Sequence, residues 1–221
     1  MQLKSKLLAK IPGIDHGFGS RTEELPEQFQ ATWTEKKATW KQTHGIGCAR
    51  IETPGQLCGD VDALYSRANN IPVAVMTADC VPVLLAKKDG SCVAAIHAGW
   101  RGTRAHILSA LWKKLENEGE KAENWVAAIG PSIGPCCYEV SEELAADFQK
   151  EFGPLAVPTH RHLDLPAINQ AELHKIGIKE VDLLRACTKC TMLDGDFRFH
   201  SYRREGGGTM QWSVISRLAS K

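Results

Sequence analysis

The sequence predicts a layered α/β domain built on a mixed β-sheet. Short, continuous apolar runs with turn residues nearby are typical of buried strands, and they occur at 71–77, 82–86, 91–96 and 125–129. Helical patterns are interleaved with these runs. The three runs between 71 and 96 follow one another without room for helical crossovers, which favours a sheet with antiparallel as well as parallel neighbours.

Three helices are predicted between and after these strands. The first, over 103–119, has apolar residues at helical spacing, namely Ile107, Leu108, Leu111, Trp112 and Leu115. The second begins after Ser141, an N-cap residue followed by two glutamates. The third begins after Asn169 and ends near Gly177, ahead of a strand-like run at 178–184.

Length and charge limit the kind of protein. The 221 residues are predicted to form one domain over 1–221, because a second domain would need a linker that the sequence does not contain. A net charge of +1 without a long basic run argues against nucleic acid as a partner. The apolar run at 7–9 is too short for a signal peptide or a membrane span. We therefore expect a cytoplasmic protein without a membrane partner, and the sequence leaves its oligomeric state open.

The eight cysteines do not indicate a disulfide framework, because the chain is neither short nor visibly exported. Four of them lie among apolar or small neighbours and are interpreted as small buried side chains: Cys48, Cys58, Cys92 and Cys187. Cys187 and Cys190 form the motif CTKC, but a zinc ribbon needs a second pair and none is evident. Adjacent Cys136 and Cys137 either approach a binding site or, as we prefer, pack in the interior.

Functional side chains are expected where predicted strands leave the core. Asp79 and Cys80 follow the strand ending at Thr77, and His97 follows the run SCVAAI directly. His44, in WKQTHGIG, precedes another β-like run. Two imidazoles and one thiolate can hold Zn²⁺ and leave its fourth position open. The spacing alone leaves a second hypothesis open, in which Cys80 is a nucleophile and His97 its base.

A glycine-containing turn, AGWRGT, connects the third strand to the first helix. Such a turn exposes backbone N–H groups and the positive end of a helix dipole. Gly99, Gly102 and the forked guanidinium of Arg101 are therefore predicted to bind an anion. Arg203 and Arg204, which precede three glycines, either approach an anionic ligand or cap a sheet edge.

Several motifs in order carry a family resemblance. They are QTHG, GDVDAL, TADCVPVLL, IHAGWRGT, AAIGPSIGPCCYEV and the C-terminal CT and SYRR segments. Together they resemble the YfiH, or laccase-domain, family, also called multicopper polyphenol oxidase-like proteins, over nearly the whole chain. The resemblance implies two mixed β-sheets packed together and flanked by helices. It also implies three metal ligands: His44, Cys80 and His97.

The resemblance implies a zinc-dependent purine nucleoside enzyme. Such an enzyme phosphorolyses adenosine, inosine, guanosine and methylthioadenosine, and it deaminates adenosine, so its ligands are a purine nucleoside and phosphate. On this hypothesis Arg101 and the glycine turn hold phosphate, and Asp79 either shuttles a proton in deamination or holds a backbone turn. Relatives have a glycine-rich loop after an arginine, whereas this chain keeps Arg21 in GSRTEELPEQF without the paired glycines. The substrate contacts of Arg21 therefore stay an open prediction.

Two further hypotheses compete with the nucleoside enzyme. Copper oxidase chemistry is disfavoured, since a multicopper site needs many imidazoles and this chain has eight histidines. Its only H-x-H pair is His160 and His162, in a loop-like segment. The other hypothesis is that the protein is a factor that edits peptidoglycan precursors, an activity described for some members of the family that it resembles.

Overall fold

The computed structural model describes residues 3–219. Its strands are Ile14–Phe18 (β1), Thr39–Lys41 (β2), Cys48–Ile51 (β3), Leu57–Asp60 (β4), Ala63–Ser66 (β5), Val73–Thr77 (β6), Val81–Lys87 (β7), Val93–Ala98 (β8), Trp125–Ile129 (β9), Glu180–Leu183 (β10), Met192–Leu193 (β11), Asp196–Phe197 (β12) and Gln211–Arg217 (β13). Its α-helices are Glu27–Gln30 (α1), Trp33–Lys36 (α2), Trp100–Arg104 (α3), Ile107–Asn117 (α4), Glu142–Phe152 (α5), Leu165–Ile176 (α6) and Tyr202–Glu205 (α7). Within the described part of the chain, no helix has the length and apolar character that a membrane span requires.

A six-stranded mixed sheet forms the centre of the fold, in the order β10-β9-β7-β8-β5-β3. The outer pairs, β10 with β9 and β3 with β5, are parallel, and the inner pairs are antiparallel. All residues of β8 and β9 are buried, because both faces of the sheet are covered. The prediction of buried strands in a mixed sheet is confirmed.

A second sheet, in the order β1-β13-β6, packs on one face of the first and is antiparallel throughout. The apolar layer between the sheets includes Phe18, Val75 and Ile215 on one side and Leu84 and Ala95 on the other. Helices α4, α5 and α6 cover the opposite face of the six-stranded sheet. The layered α/β class is thus confirmed.

The sequence predicted that the strand at 71–77 would join the same sheet as the next two strands. The structure shows otherwise. This strand forms β6 in the three-stranded sheet, whereas β7 and β8 lie in the six-stranded one. The chain crosses between the layers within Ala78, Asp79 and Cys80. This crossover positions two of the predicted functional residues at the boundary between the sheets.

Two helix predictions need correction. The helix predicted at 103–119 is divided into α3 and α4, because His106 has a left-handed backbone with φ 59°. The third helix begins before Asn169, which lies buried inside α6. Its N-cap is Asp164, whose Oδ1 accepts the Ala167 N–H at 2.9 Å, and Pro166 fits the first turn. Helix α5 begins after Ser141 as predicted.

The cysteine predictions were wrong in two respects. Of the four expected to be buried, Cys92 is buried, whereas Cys48, Cys58 and Cys187 are partly exposed. The CTKC motif also has a second pair, because Cys136 and Cys137 lie beside Cys187 and Cys190. The sequence separation of these pairs concealed their proximity.

A buried histidine in β1 predicts a pH-dependent stability. His16 is 1% exposed, and its Nε2 accepts the Ser5 N–H at 2.9 Å. Burial, reinforced by Lys4, lowers the pKa of His16 from 6.5 to about 4. Between these values the unfolded chain binds a proton that the folded chain does not, so the free energy of unfolding is expected to fall as pH falls from 6.5 to 4.

The His16 contribution to this loss is at most roughly 3 kcal/mol. Urea unfolding across the pH range measures it, and His16→Gln is expected to flatten the slope. His160→Gln is the matched control, since the side chain of His160 is 80% exposed. An equal slope for wild type and His16→Gln would contradict the assignment.

Candidate active site

Three potential metal ligands from separate parts of the chain meet beside the sheet crossover. His44 lies in the loop between β2 and β3, Cys80 directly precedes β7, and His97 lies in β8. One ligand atom from each lies within 4.8 Å of the others. Antiparallel pairing of β7 with β8 sets Pro82 opposite His97, which brings the cysteine near the imidazole. The fold therefore supplies the proximity that the sequence spacing left open.

The electrostatics of these groups favour a thiolate. Burial raises the pKa of Cys80, but hydrogen bonds from His44 and His97 outweigh burial and lower it to about 7. Burial lowers the pKa of His97, but Asp62 and Cys80 outweigh that effect and raise it to about 9. A divalent cation can replace the protons held by these groups, since cysteine binds metals as a thiolate and histidine as a neutral imidazole.

Asp62 holds the His97 imidazole and the backbone of the His44 loop in place, and sequence reasoning did not identify it as a site residue. Its Oδ1 accepts a hydrogen bond from the backbone N–H of His44 at 3.0 Å. The same oxygen lies 2.7 Å from Nδ1 of His97 and accepts a hydrogen bond from it when that nitrogen carries the proton. Its Oδ2 accepts the N–H groups of Thr43 and Gly45. Protonation of Nδ1 leaves Nε2 of His97 free to bind a metal. The available signal was an aspartate inside the otherwise apolar segment VDAL.

Two site residues have backbone conformations that L-residues seldom adopt. The φ angles are 60° at His44 and 88° at Asp79, both in the positive region. Hydrogen bonds hold each one, since Asp62 accepts the His44 N–H and the Asp79 carbonyl accepts the Ile133 N–H at 2.9 Å. Such conformations are concentrated at functional sites.

The two glycines predicted to bind an anion allow close packing. A Cβ on Gly99 would lie 3.0 Å from both Cys80 Sγ and His44 Cδ2. Gly102 is buried inside α3, where a Cβ would lie 3.3 Å from the Gly45 carbonyl oxygen. Both glycines let α3 approach the candidate metal ligands, and their role in phosphate binding stays a prediction.

A cavity of about 470 Å³ adjoins the cluster. Its lining includes His44, Asp79, Cys80, Trp100, Arg101, Ile133, Tyr138, Leu165, Tyr202 and Arg203. The Arg101 guanidinium stacks on Trp100 at 4.3 Å from the ring centre, and the Arg203 guanidinium lies 5.0 Å from the ring centre of Tyr138. Two cations beside apolar and aromatic surface suit a small ligand that has a ring and an anionic group.

The Asp79 carboxylate joins the crossover to the C-terminal part of the cavity wall. Its Oδ1 accepts the Thr188 hydroxyl at 2.6 Å, and its Oδ2 accepts the Arg203 N–H at 2.7 Å. Arg204 donates to the carbonyls of Thr188 and Lys189 rather than lining the cavity. Of the two hypotheses for the arginine pair, cavity contact fits Arg203, whereas Arg204 contacts loop carbonyls and, among the described residues, caps no sheet edge.

Arg21 lies outside the cavity lining. Its Nη1 contacts Glu205 Oε1 at 2.5 Å, and its backbone N–H donates to the Arg198 carbonyl. Glu205 ends α7, which begins with the cavity residues Tyr202 and Arg203. Arg21 thus contacts the element that borders the cavity, and its contact with substrate stays a prediction.

The sequence model of the multi-copper polyphenol oxidoreductase laccase family matches residues 20–217. A purine nucleoside phosphorylase of Deinococcus radiodurans is 35% identical over 80% of this chain and 69% of its own length. The purine nucleoside phosphorylase YfiH of Shigella flexneri is 33% identical over 83% of this chain and 75% of its own length. The adenosine deaminase RL5 from an unknown prokaryote is 36% identical over 66% of this chain and 58% of its own length.

Solved structures share the fold. YlmD from Geobacillus stearothermophilus superposes with a TM-score of 0.81 at 24% identity, covering 95% of this chain and 93% of its own. The hypothetical protein YfiH of Bacillus licheniformis superposes with a TM-score of 0.80 at 22% identity, covering 93% of each chain. These similarities confirm the family resemblance and the arrangement of layers.

Asp62 should determine how tightly the cluster of His44, Cys80 and His97 binds metal. In Asp62→Asn, an amide N–H₂ replaces one acceptor oxygen, so at least one backbone N–H of the His44 loop or the His97 ring loses its partner. We expect zinc affinity to fall about 10- to 100-fold. Competition with a chromophoric chelator measures it.

Asp60→Asn is the matched control, because Asp60 is an exposed carboxylate two positions earlier. Its zinc affinity should equal that of the wild type. Unchanged affinity in a folded Asp62→Asn protein would show that the carboxylate does not position the ligands.

Proposed function

The chain belongs to the multi-copper polyphenol oxidoreductase laccase family, and from this premise we propose that it is a zinc-dependent purine nucleoside phosphorylase that also deaminates adenosine. One observation carries the proposal: His44, Cys80 and His97 converge at a cavity that also contains two guanidinium groups. Relatives named purine nucleoside phosphorylase and adenosine deaminase support this choice of reactions.

The donor set fits zinc. Two imidazoles and a thiolate are three protein ligands, the number that catalytic zinc sites use while keeping a fourth position open. The lowered pKa of Cys80, about 7, supports the thiolate form at neutral pH. Bound zinc would supply Lewis-acid chemistry by polarising a substrate oxygen or lowering the pKa of water.

Phosphate binding would fall to the cavity arginines. Arg101 offers a forked donor that Trp100 supports from one side, and Arg203 adds a second positive charge at the cavity. Held there, a phosphate oxygen would attack the anomeric carbon of the ribose while the bond from that carbon to the purine nitrogen breaks. Orientation by fixed donors is the contribution of these residues to the rate.

Tyr138 would help to hold the purine. Burial, followed by the nearby Cys80, raises the pKa of Tyr138 to about 12, so its hydroxyl keeps its proton at neutral pH. The residue lines the cavity and can donate a hydrogen bond to a purine nitrogen or oxygen. Donation of this kind would also support departure of the base as negative charge develops on it.

Asp79 can be assigned either of two roles. Its place in the cavity lining supports proton transfer during deamination. Its hydrogen bonds from Thr188 and Arg203 support a positioning role, in which it holds the start of α7 at the cavity. We favour the positioning role, because both carboxylate oxygens already have protein donors.

A thiol hydrolase is the second candidate, and one observation favours it. Cys80 has a pKa of about 7 next to two imidazoles, the environment of an activated cysteine nucleophile. Copper oxidase chemistry has less support, since the side chain of His160 is 80% exposed and no cluster among residues 3–219 adds further imidazoles to the site.

The first test compares metal content with activity. Zinc-loaded wild type should release hypoxanthine from inosine only with phosphate and should convert adenosine to inosine, as chromatography of the products would show. Cys80→Ala and His44→Ala should lose zinc from this site and at least about 100-fold in both activities, because each removes a ligand.

Cys58→Ala is the matched control, because Cys58 lies in β4 and belongs to neither cysteine-containing cluster of the described residues. It should keep both activities. Full phosphorolysis by Cys80→Ala would contradict the site, and full activity of the metal-free wild type that alkylation abolishes would establish the thiol mechanism instead.

The second test separates phosphate binding from deamination. Arg101→Ala should raise the KM for phosphate about 10- to 100-fold, the effect of losing a charge-assisted hydrogen bond. Deamination of adenosine, which uses no phosphate, should change far less. Steady-state kinetics of both reactions provide the measurement.

Arg104→Ala serves as the control for this test. Arg104 lies in the same short helix but pairs with Asp147 at 3.0 Å and with Glu151 at 3.6 Å. Its removal should leave the KM for phosphate unchanged. Equal losses of deamination and phosphorolysis in Arg101→Ala would argue against a phosphate-specific role.

A further inference from the structure

Four thiols form a second cluster away from the imidazoles. Cys136 and Cys137 lie in the loop between β9 and α5, and Cys187 and Cys190 lie in the loop between β10 and β11. All four sulfur atoms lie within 4.8 Å of one another, and the Sγ atoms of Cys136 and Cys190 are 3.7 Å apart. Strands β9 and β10 are parallel neighbours, so the loops that follow them leave the sheet at the same edge.

The spacing of the sulfurs fits a tetrahedral metal. Four ligands at zinc–sulfur bonds of about 2.3 Å have sulfurs about 3.8 Å apart. The 3.7 Å between Cys136 and Cys190 matches that edge. The sequence pattern also fits, since Cys187 and Cys190 have the two-residue separation of a zinc knuckle.

A backbone donor faces the cluster. The Gly134 N–H lies 3.4 Å from the Cys187 sulfur, within reach of a hydrogen bond. Four thiolates within 4.8 Å of one another would repel, and a divalent metal would supply the positive charge that balances them.

We propose that Cys136, Cys137, Cys187 and Cys190 bind a second zinc ion with a structural role, in addition to the ion proposed at His44, Cys80 and His97. Four thiolates complete the tetrahedral coordination, so no position is left for water or substrate. The ion therefore stabilises the fold without taking part in the reaction.

The ion would fasten a loop that lines the cavity to a loop that contacts the cavity residue Asp79. The first loop carries Ile133 and Tyr138, which line the cavity. The second carries Thr188, whose hydroxyl donates to Asp79 at 2.6 Å. Backbone hydrogen bonds between Ser132 and the 186–188 segment already join these loops. A four-thiolate site next to them would fix their separation.

Zinc stoichiometry tests the proposal directly. Freshly purified wild type should contain two zinc ions per chain by plasma mass spectrometry, and the double variant Cys136→Ser with Cys190→Ser should contain one. Cys80→Ala should also contain one, because it removes the other site. Adding Cys80→Ala to the double variant should leave none.

Three controls separate loss of a ligand from loss of the fold. Cys190→His should keep two zinc ions, because three thiolates and an imidazole still form a closed site. Cys58→Ser should also keep two. Cobalt-substituted Cys80→Ala should show thiolate-to-cobalt charge-transfer bands from the remaining cluster. These bands should be absent when Cys136→Ser and Cys190→Ser are added to Cys80→Ala.

The proposal is overturned if the double variant keeps the zinc content of the wild type, or if the wild type contains one zinc and a Cys136–Cys190 disulfide by mass spectrometry. Iron in place of zinc would refute the choice of ion. Inactivity toward purine nucleosides would contradict the proposed function while leaving the zinc count of this cluster unaffected.

Discussion

The candidate site depends on a single buried carboxylate. Asp62 is 1% exposed, and a buried charge of this kind is tolerated only when hydrogen bonds replace its hydration. Its donors are the His97 ring and the backbone of the loop at His44, which belong to separate elements. The carboxylate therefore ties the His44 loop to β8.

The arrangement of layers explains why the site lies at this edge. The chain leaves the three-stranded sheet at Thr77 and enters the six-stranded sheet at Val81, so Asp79 and Cys80 lie at the boundary between the sheets, where both line the cavity. The two strands that flank the crossover, β6 and β7, are largely buried and are paired with neighbouring strands, which fixes the two ends of the crossover. Helix α3 closes the site from one side because Gly99 permits its close approach.

The sequence predicted best where one physical signal dominated. Continuous apolar runs identified β7, β8 and β9, because burial on both faces leaves few polar positions. It failed where tertiary contacts decided the outcome: Asn169 resembles an N-cap residue but donates inside the core to Thr103 and Leu165. The metal-ligand set was inferred from family resemblance, whereas Asp62 and the pairing of Cys136 with Cys190 depend on contacts that spacing does not reveal.

A short path through the cavity residue Asp79 joins the two clusters. Cys80 is covalently adjacent to Asp79, whose carboxylate accepts the hydroxyl of Thr188, and Thr188 is adjacent to Cys187. The same carboxylate accepts the N–H of Arg203 at the start of α7. Asp79 is thus connected by covalent or hydrogen bonds to the imidazole-thiolate site, to the loop of the thiol cluster and to a cavity arginine. A metal held by the thiol cluster would fix the position of Thr188 and, through its hydrogen bond to Asp79, would help to fix the crossover next to Cys80.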